Sequence, residues 1–150
     1  MSSSENFWLW NGERFEFEDY DWAFGFVYCI TNTMTGKKYI GRKYFYSTNK
    51  VKKKGRKNRK IVRKESDWSE YFGSSKTLLV DIKTYGKEYF KREILSLHES
   101  RGDVNYHEIK QQITNNVLES DGYYNDNIMN RYYRKKTSPK SLFSLTNFTS

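Results

Sequence analysis

Two tyrosines are the first residues in this chain whose types and spacing suggest chemistry. Tyr28 and Tyr39 stand with ten residues between them in Gly25 to Gly41, GFVYCITNTMTGKKYIG. A phenol can relay or accept a proton, or hold a water in line for attack. The second feature is charge. Lys50, Lys52, Lys53, Lys54, Arg56, Lys57, Arg59, Lys60, Arg63 and Lys64 place ten cations in fifteen residues, with no acid among them. The net charge is +9, so everything outside that run carries −1. A near-neutral chain with one basic segment has the electrostatic footprint of a polyanion partner, nucleic acid above all.

Other chemistries find little support. Cys29 is the single cysteine. It can form no internal disulfide, fits a reducing cytoplasm, and reads as a small buried hydrophobe. His98 and His107 are too few for a zinc site, and Glu88, Glu93, Glu99 and Glu119 are scattered rather than clustered. There is no glycine-rich phosphate loop and no serine nucleophile elbow. The start, MSSSENFWLWNGE, lacks the basic and apolar regions of a signal peptide. The longest apolar stretch, Trp22 to Ile30, has nine residues and is too short to span a bilayer, so no membrane partner is expected.

Structural elements must position these groups. Phe26 to Thr31 is apolar and β-branched, Asn32 to Gly36 is turn chemistry, and Lys37 to Ile40 restarts a strand. The spacing predicts a hairpin with one tyrosine on each arm. Trp8, Trp10, Phe15 and Phe17 alternate around Asn11-Gly12, predicting a second hairpin after a disordered start over residues 1–6. The basic run contains Gly55 and Asn58 and repels itself, so a mobile loop, or a ribbon that orders on binding, is expected. Residues 74–86 predict a helix with a serine N-cap, Gly86 at its end, and Leu78, Leu79, Ile82 and Tyr85 on one face. Tyr89 to Leu97 predicts a strand. Val104 to Leu118 predicts a second helix, capped by Asp103, with Tyr106, Ile109, Ile113 and Val117 as its core stripe and Glu108, Gln112 and Asn115 on a polar flank. With 18% aromatic residues, Tyr, Phe and Trp must supply much of the core. Phe143 and Phe148, in a Ser/Thr-rich stretch read as a flexible tail, could touch a partner.

The segment VYCITNTMTGKKYIG resembles the GIY-YIG endonuclease signature, often close to IY-x-I-x-N-x-x-x-GK-x-YIG. Ile30, Asn32, Gly36 and Lys37 agree as well as the tyrosines. YIGRKYF, DWSEYFGSSK and NYHE resemble small phage-encoded, Seg-like homing endonucleases. The similarity covers about residues 25 to 127. Two positions depart from the pattern. Gly25 lies one residue before the family's first glycine, where this chain has Phe26. The family's arginine usually sits about ten residues after the YIG tyrosine, where this chain has Asn49-Lys50 and the basic insertion. Arg42, Arg56, Arg59 and Arg63 are the candidates, and Arg42 is chosen because it is anchored to the hairpin.

The resemblance implies roles. Glu108 would be the ligand of Mg²⁺, or of another divalent cation such as Mn²⁺. Tyr28 would handle the proton or the water. Tyr39 and Arg42 would bind the scissile phosphate, and Asn125, in the Tyr124-Asn125 pair, would fix the architecture or contact phosphate. His107 neighbours Glu108 but should project elsewhere around the helix.

The expected fold is α+β: a small three-stranded, mainly antiparallel sheet with flanking helices and an appended N-terminal hairpin. The expected division is an extension over 1–24, a nuclease-like domain over 25–136 with a basic insertion at 50–64, and a tail over 137–150. The expected activity is metal-dependent DNA cleavage in the host-cell cytoplasm, with the basic segment on the phosphate backbone. Homing enzymes of this family join the catalytic domain to a recognition region, for which this chain has little room. Low intrinsic specificity follows, or specificity supplied by a homodimer or a protein partner. The residues also allow a module that grips nucleic acid without cutting, and charge alone would allow a structural phage or ribosome-associated protein.

Overall fold

The apolar, β-branched run after Gly25 forms the centre of a sheet, as its composition requires. The computed structural model describes residues 6–52, 55, 59–134 and 142–146. Its elements are β1 (Leu9–Trp10), β2 (Glu13–Arg14), β3 (Gly25–Asn32), β4 (Lys38–Tyr44), β5 (Tyr46–Lys52), β6 (Arg59–Glu65), α1 (Lys76–Tyr85), β7 (Phe90–His98), α2 (Arg101–Thr114), β8 (Asn127–Ile128) and β9 (Tyr132–Tyr133). β3 pairs antiparallel with β4, placing Tyr28 opposite Gly41 and Ile30 opposite Tyr39. Gly36 closes the turn at φ +83°, a conformation that favours glycine.

The chain is α+β, but its main sheet is five-stranded and mixed, in the order β2-β1-β7-β3-β4. This corrects the expected three-stranded, mainly antiparallel sheet. The antiparallel trio β4-β3-β7 is present, yet the N-terminal hairpin is not an appendage: β1 pairs in parallel with β7, Leu9 opposite Glu93 and Trp10 opposite Ile94. A bare β7 edge would expose unpaired backbone groups, and β1 satisfies them. Trp8 drives the docking. It is buried, packs edge-on against Phe26 and Tyr28 at 4.9 and 5.1 Å, and donates its indole N–H to the Trp68 carbonyl at 2.7 Å.

Asn6 is fixed rather than disordered. Its amide donates to the carbonyls of Lys87 and Phe90, and its Oδ1 accepts from Arg92 Nε at 3.2 Å. Arg92 is fully buried on β7 with no carboxylate bonded to it among the described residues. It donates instead to the carbonyls of Asn6, Ser69 and Tyr71 and lies over the Trp8 and Phe72 rings. Burial lowers its pKa to about 10, so it remains charged at neutral pH.

Two cores cover the two faces of the sheet. Phe26, Tyr28, Ile30, Phe45, Phe72 and Phe90 pack with Leu78 and Ile82 of α1. Val27, Cys29 and Ile40 pack on the opposite side with Ile109, Val117 and Ile128. Cys29 is buried there. α1 is capped by Ser75, whose hydroxyl accepts from Leu78 N–H, and ends at Gly86. Leu79 and Tyr85, expected on its buried face, are exposed.

α2 departs further. It begins at Arg101, and its cap is Ser100, which accepts from Asp103 N–H at 3.2 Å; Asp103 lies inside the first turn. The expected apolar stripe is split: Ile109 and Val117 pack on the core, but Tyr106 and Ile113 are exposed at 61% and 59%, while Val104 and Gln112 are buried. The polar flank carrying Glu108 and Gln112 turns inward and finds backbone and side-chain partners around β4.

Residues 46–52 and 59–65 take the ribbon form. β5 and β6 pair antiparallel over seven residues each, from Tyr46 opposite Glu65 to Lys52 opposite Arg59. Lys53, Lys54, Arg56, Lys57 and Phe148 lie outside the described residues. Phe143 is described and exposed. Among the described residues no helix is long and apolar enough to cross a membrane.

Candidate active site

The site is built around β4, the outer strand of the sheet. Alternation places Tyr28 and Tyr39 on the α1 side and Arg42 on the α2 side. Gly41 has no side chain, and the space beside it is occupied by the tyrosines. A Cβ on Gly41 would lie 2.6 Å from Tyr28 Oη and 2.9 Å from Tyr39 Cε2. Gly73, at φ +89°, presses the loop before α1 against the same two rings. The ring centroids are 6.2 Å apart.

Tyr28 is 1% exposed. Burial, followed by the neighbouring Tyr39 and Tyr71 phenols and the Glu108 charge, raises its pKa well above 10. Burial also raises Tyr39, opposed by a hydrogen bond from Ser74. Both phenols are therefore protonated at neutral pH and act as donors. Gly25 accounts for its own position. A Cβ there would sit 2.7 Å from the Lys43 carbonyl oxygen, so close packing of β3 on β4 needs glycine at residue 25. Phe26, where the family has glycine, is fully buried in the aromatic core.

On the other side of the edge, Glu108 projects from α2. Arg42 Nε lies 3.4 Å from Glu108 Oε1 and donates to Asn105 Oδ1 at 2.8 Å. Tyr44 also donates to Asn105, at 2.6 Å. Gln112 Nε2 donates to Glu108 Oε2 at 3.2 Å and to the Ile40 carbonyl at 3.0 Å. Burial raises the Glu108 pKa, while Arg42 and Gln112 pull it down. The Glu108 charge adds only a minor share to the rise at either tyrosine, which is set mainly by burial.

Asn125 is buried, with Oδ1 accepting from Ile40 N–H at 3.1 Å and Nδ2 donating to the Ile40 carbonyl at 2.8 Å. Its polar atoms are thus engaged by backbone. Of the candidate arginines, Arg42 lies beside Glu108, Arg63 stacks over Tyr46 at 3.9 Å, Arg59 belongs to β6, and Arg56 is outside the described residues. His107 points away and stacks on His98 at 4.5 Å. Asn105, Gln112, Tyr71 and Gly73 were not singled out as site residues by sequence reasoning. The i, i+4 spacing of Glu108 and Gln112 was the available signal.

A divalent cation can be tested against this donor set. No group of three or more His, Cys, Asp or Glu side chains is assembled among the described residues. One half-buried carboxylate therefore fits a hard cation that keeps several waters and completes its shell with substrate phosphate, the usual mode for Mg²⁺.

The family model described as "Putative endonuclease segE, GIY-YIG domain" matches residues 8–128. The chain belongs to the GIY-YIG endonuclease family. Its match begins at Trp8, so it includes the hairpin β1–β2. A segE protein of Enterobacteria phage T4 is 32% identical over 100 residues, which cover 67% of this chain and 39% of that protein. The chain thus spans about two fifths of the length of that curated GIY-YIG relative. No solved structure matches the chain.

Proposed function

We propose that this chain is a metal-dependent DNA endonuclease, encoded by a phage and acting in the host-cell cytoplasm. The observation that carries the reading is the packing of Tyr28 and Tyr39 against Gly41 on one face of β4, with the Arg42–Glu108 pair on the other face of the same strand. Hydrolysis requires attack by a water on phosphorus and departure of the bridging oxygen. A divalent cation bound at Glu108 supplies positive charge for the phosphate oxygens and the leaving oxygen.

The chain's own residues do the rest. Tyr28, protonated and packed under Gly41, relays the proton: its hydroxyl oxygen accepts from the attacking water while its own hydrogen passes to a non-bridging phosphate oxygen, so the water loses a proton as its bond to phosphorus forms. Tyr39 and the Arg42 guanidinium hold the scissile phosphate, with Asn105 aiming Arg42. Gln112 orients the Glu108 carboxylate. Asn125 fixes the edge strand. The β5–β6 ribbon grips the duplex backbone through Lys50, Lys52, Lys53, Lys54, Arg56, Lys57, Arg59, Lys60, Arg63 and Lys64, with low intrinsic sequence specificity. A homodimer or protein partner supplies further specificity.

The test is incubation of supercoiled DNA with wild-type and Glu108→Gln protein, with and without Mg²⁺ or Mn²⁺. Cleavage should require metal and fall at least about 10²-fold in the variant. Equal cleavage by Glu108→Gln would overturn that residue's role. Wild-type protein that retards DNA yet leaves it intact across several divalent metals would identify a binding module instead.

A further inference from the structure

Beside the Arg42–Glu108 pair lies a cavity of about 370 Å³ at the base of the ribbon, walled by Arg42, Lys43, Tyr44, Ser66, Tyr71 and Arg101, among others. None of its lining residues is acidic. Three cations from two elements meet here, and two are already committed. Arg42 pairs with Glu108, and Lys43 Nζ pairs with Asp67 at 2.7 Å, a contact that lowers the Asp67 pKa. Arg101 differs. Among the described residues its guanidinium makes no ion pair and no side-chain hydrogen bond; it rests over the Tyr44 ring at 4.5 Å and the Phe24 ring at 5.4 Å. Aromatic faces hold an arginine in place without consuming its N–H donors. An exposed guanidinium held this way is preorganised for an oxyanion.

We propose that this cavity is a second phosphate site, in which Arg101 binds a phosphodiester of the cut strand next to the scissile one. The proposal rests on the nuclease reading for the word scissile alone, since Arg42 belongs to both cavity and catalytic centre. Lys43 supplies a second charge at the same wall, and Ser66 lies at the rim with its hydroxyl donating to the Tyr44 carbonyl. The ligand class is one phosphodiester of a nucleic-acid backbone, gripped before any base is read.

The test uses the full chain carrying Glu108→Gln, so that binding is measured without cutting. Affinity for a short labelled duplex is compared for this protein and for versions adding Arg101→Ala or Arg101→Lys. The duplex is one that wild-type protein is first shown to cut at a single position, so that the binding register is fixed, and each of its phosphates is replaced in turn by an uncharged methylphosphonate. Arg101→Ala should weaken binding about tenfold and lower the salt slope by about 1, while Arg101→Lys retains most of the slope. One methylphosphonate position should weaken the parent and leave Arg101→Ala unaffected, and that position should adjoin the cut mapped with wild-type protein. Unchanged affinity in Arg101→Ala, or a loss shared equally by every methylphosphonate position, would overturn the site. Wild-type protein that cuts no duplex would remove the nuclease reading, and the loss of affinity and salt slope in Arg101→Ala would then retain the phosphate site.

Discussion

Asn125 pairs with Ile40 as a neighbouring strand would, its amide oxygen taking the Ile40 N–H at 3.1 Å and its amide nitrogen giving to the Ile40 carbonyl at 2.8 Å. The segment before it does the same with backbone. Lys38 N–H donates to the Gly122 carbonyl, and Tyr124 N–H to the Lys38 carbonyl. β4 is thus an outer strand whose first half is covered by residues 122–125, while Arg42 beyond it is exposed. Tyr124 is tied in turn to Asp81 at 2.7 Å, and Asn32 donates to its hydroxyl at 3.1 Å. These bonds couple the hairpin turn, α1 and the asparagine.

Asn125→Ala should therefore act first on stability. It leaves a buried N–H without its partner, at a cost of about 1–3 kcal/mol for the group. Asn125→Asp keeps the acceptor but sets a carboxylate oxygen against the Ile40 carbonyl, so it should be at least as unstable at neutral pH and recover as pH falls and the Asp is protonated. Urea unfolding at two pH values reads both. A variant of wild-type stability that nonetheless fails to cut would place Asn125 on the phosphate instead.

Gly41→Ala tests the edge itself. Its Cβ would arrive 2.6 Å from Tyr28 Oη and 2.8 Å from Tyr28 Cζ, so the ring must move. Tyr28 is enclosed by Trp8, Phe26 and Tyr71 and has little room to do so. Displacement near 1 Å in a catalytic group costs about 10²-fold. We expect kcat to fall by about that factor while the circular dichroism spectrum stays that of the parent. Parent-like kcat would show that the phenol position is not critical.

The central hairpin, α1 and β7 were legible because each carries its own local signal: an apolar, β-branched run before a glycine turn, a serine cap with a terminal glycine, and a short aromatic and aliphatic stretch ended by turn residues. The edge hairpin was legible as a hairpin but not as part of the sheet, because the parallel seam between Leu9 and Glu93 joins segments far apart in the chain and leaves no spacing to read. The burial of Arg92 leaves no local signal, because it depends on carbonyls contributed by two separate segments, at Asn6 and at Ser69 and Tyr71. α2 misled in an instructive way. Its apolar residues Tyr106 and Ile113 face outward, since the inward side is given to Glu108 and Gln112, whose partners on β4 and Arg42 become visible after folding. Polar contacts to β4 override amphipathic patterning at the helix that carries Glu108.

The raised pKa of Glu108 predicts a pH signature. Burial raises it, and Arg42 opposes the rise. The pH below which metal affinity falls, read from the metal concentration that half-saturates cleavage, should lie above the ordinary carboxylate range, and Arg42→Ala should move it further up. The sign for stability is opposite to that for activity. An acid whose folded pKa is raised stabilises below its unfolded pKa, and that contribution is lost as pH rises through the folded value. At neutral pH Glu108→Gln should therefore be inactive yet melt no lower than wild type. A lower melting temperature would mean that the Arg42 pair outweighs the burial of the charge.

The ribbon makes the last prediction. Two strands alone are marginal in water. Here the base is fastened by Arg63 over Tyr46 at 3.9 Å and by Ser66 N–H donating to the Phe45 carbonyl, so the strands leave the sheet directly beside the cavity and the Arg42–Glu108 pair. A β-ribbon of this width enters a DNA major groove, where flanking cations meet phosphates on both sides. Replacing Lys50, Lys52, Arg59, Lys60 and Lys64 by Gln should weaken duplex binding most at low salt. It should lower the slope of log K against log[salt] by about 0.9 for each phosphate that is no longer neutralised. The rate of cutting for bound DNA should change little, because none of these side chains belongs to the proposed catalytic set at Gly41. Single-turnover cleavage at saturating protein separates the two quantities. A collapse of the single-turnover rate with unchanged affinity would move the ribbon from grip to catalysis.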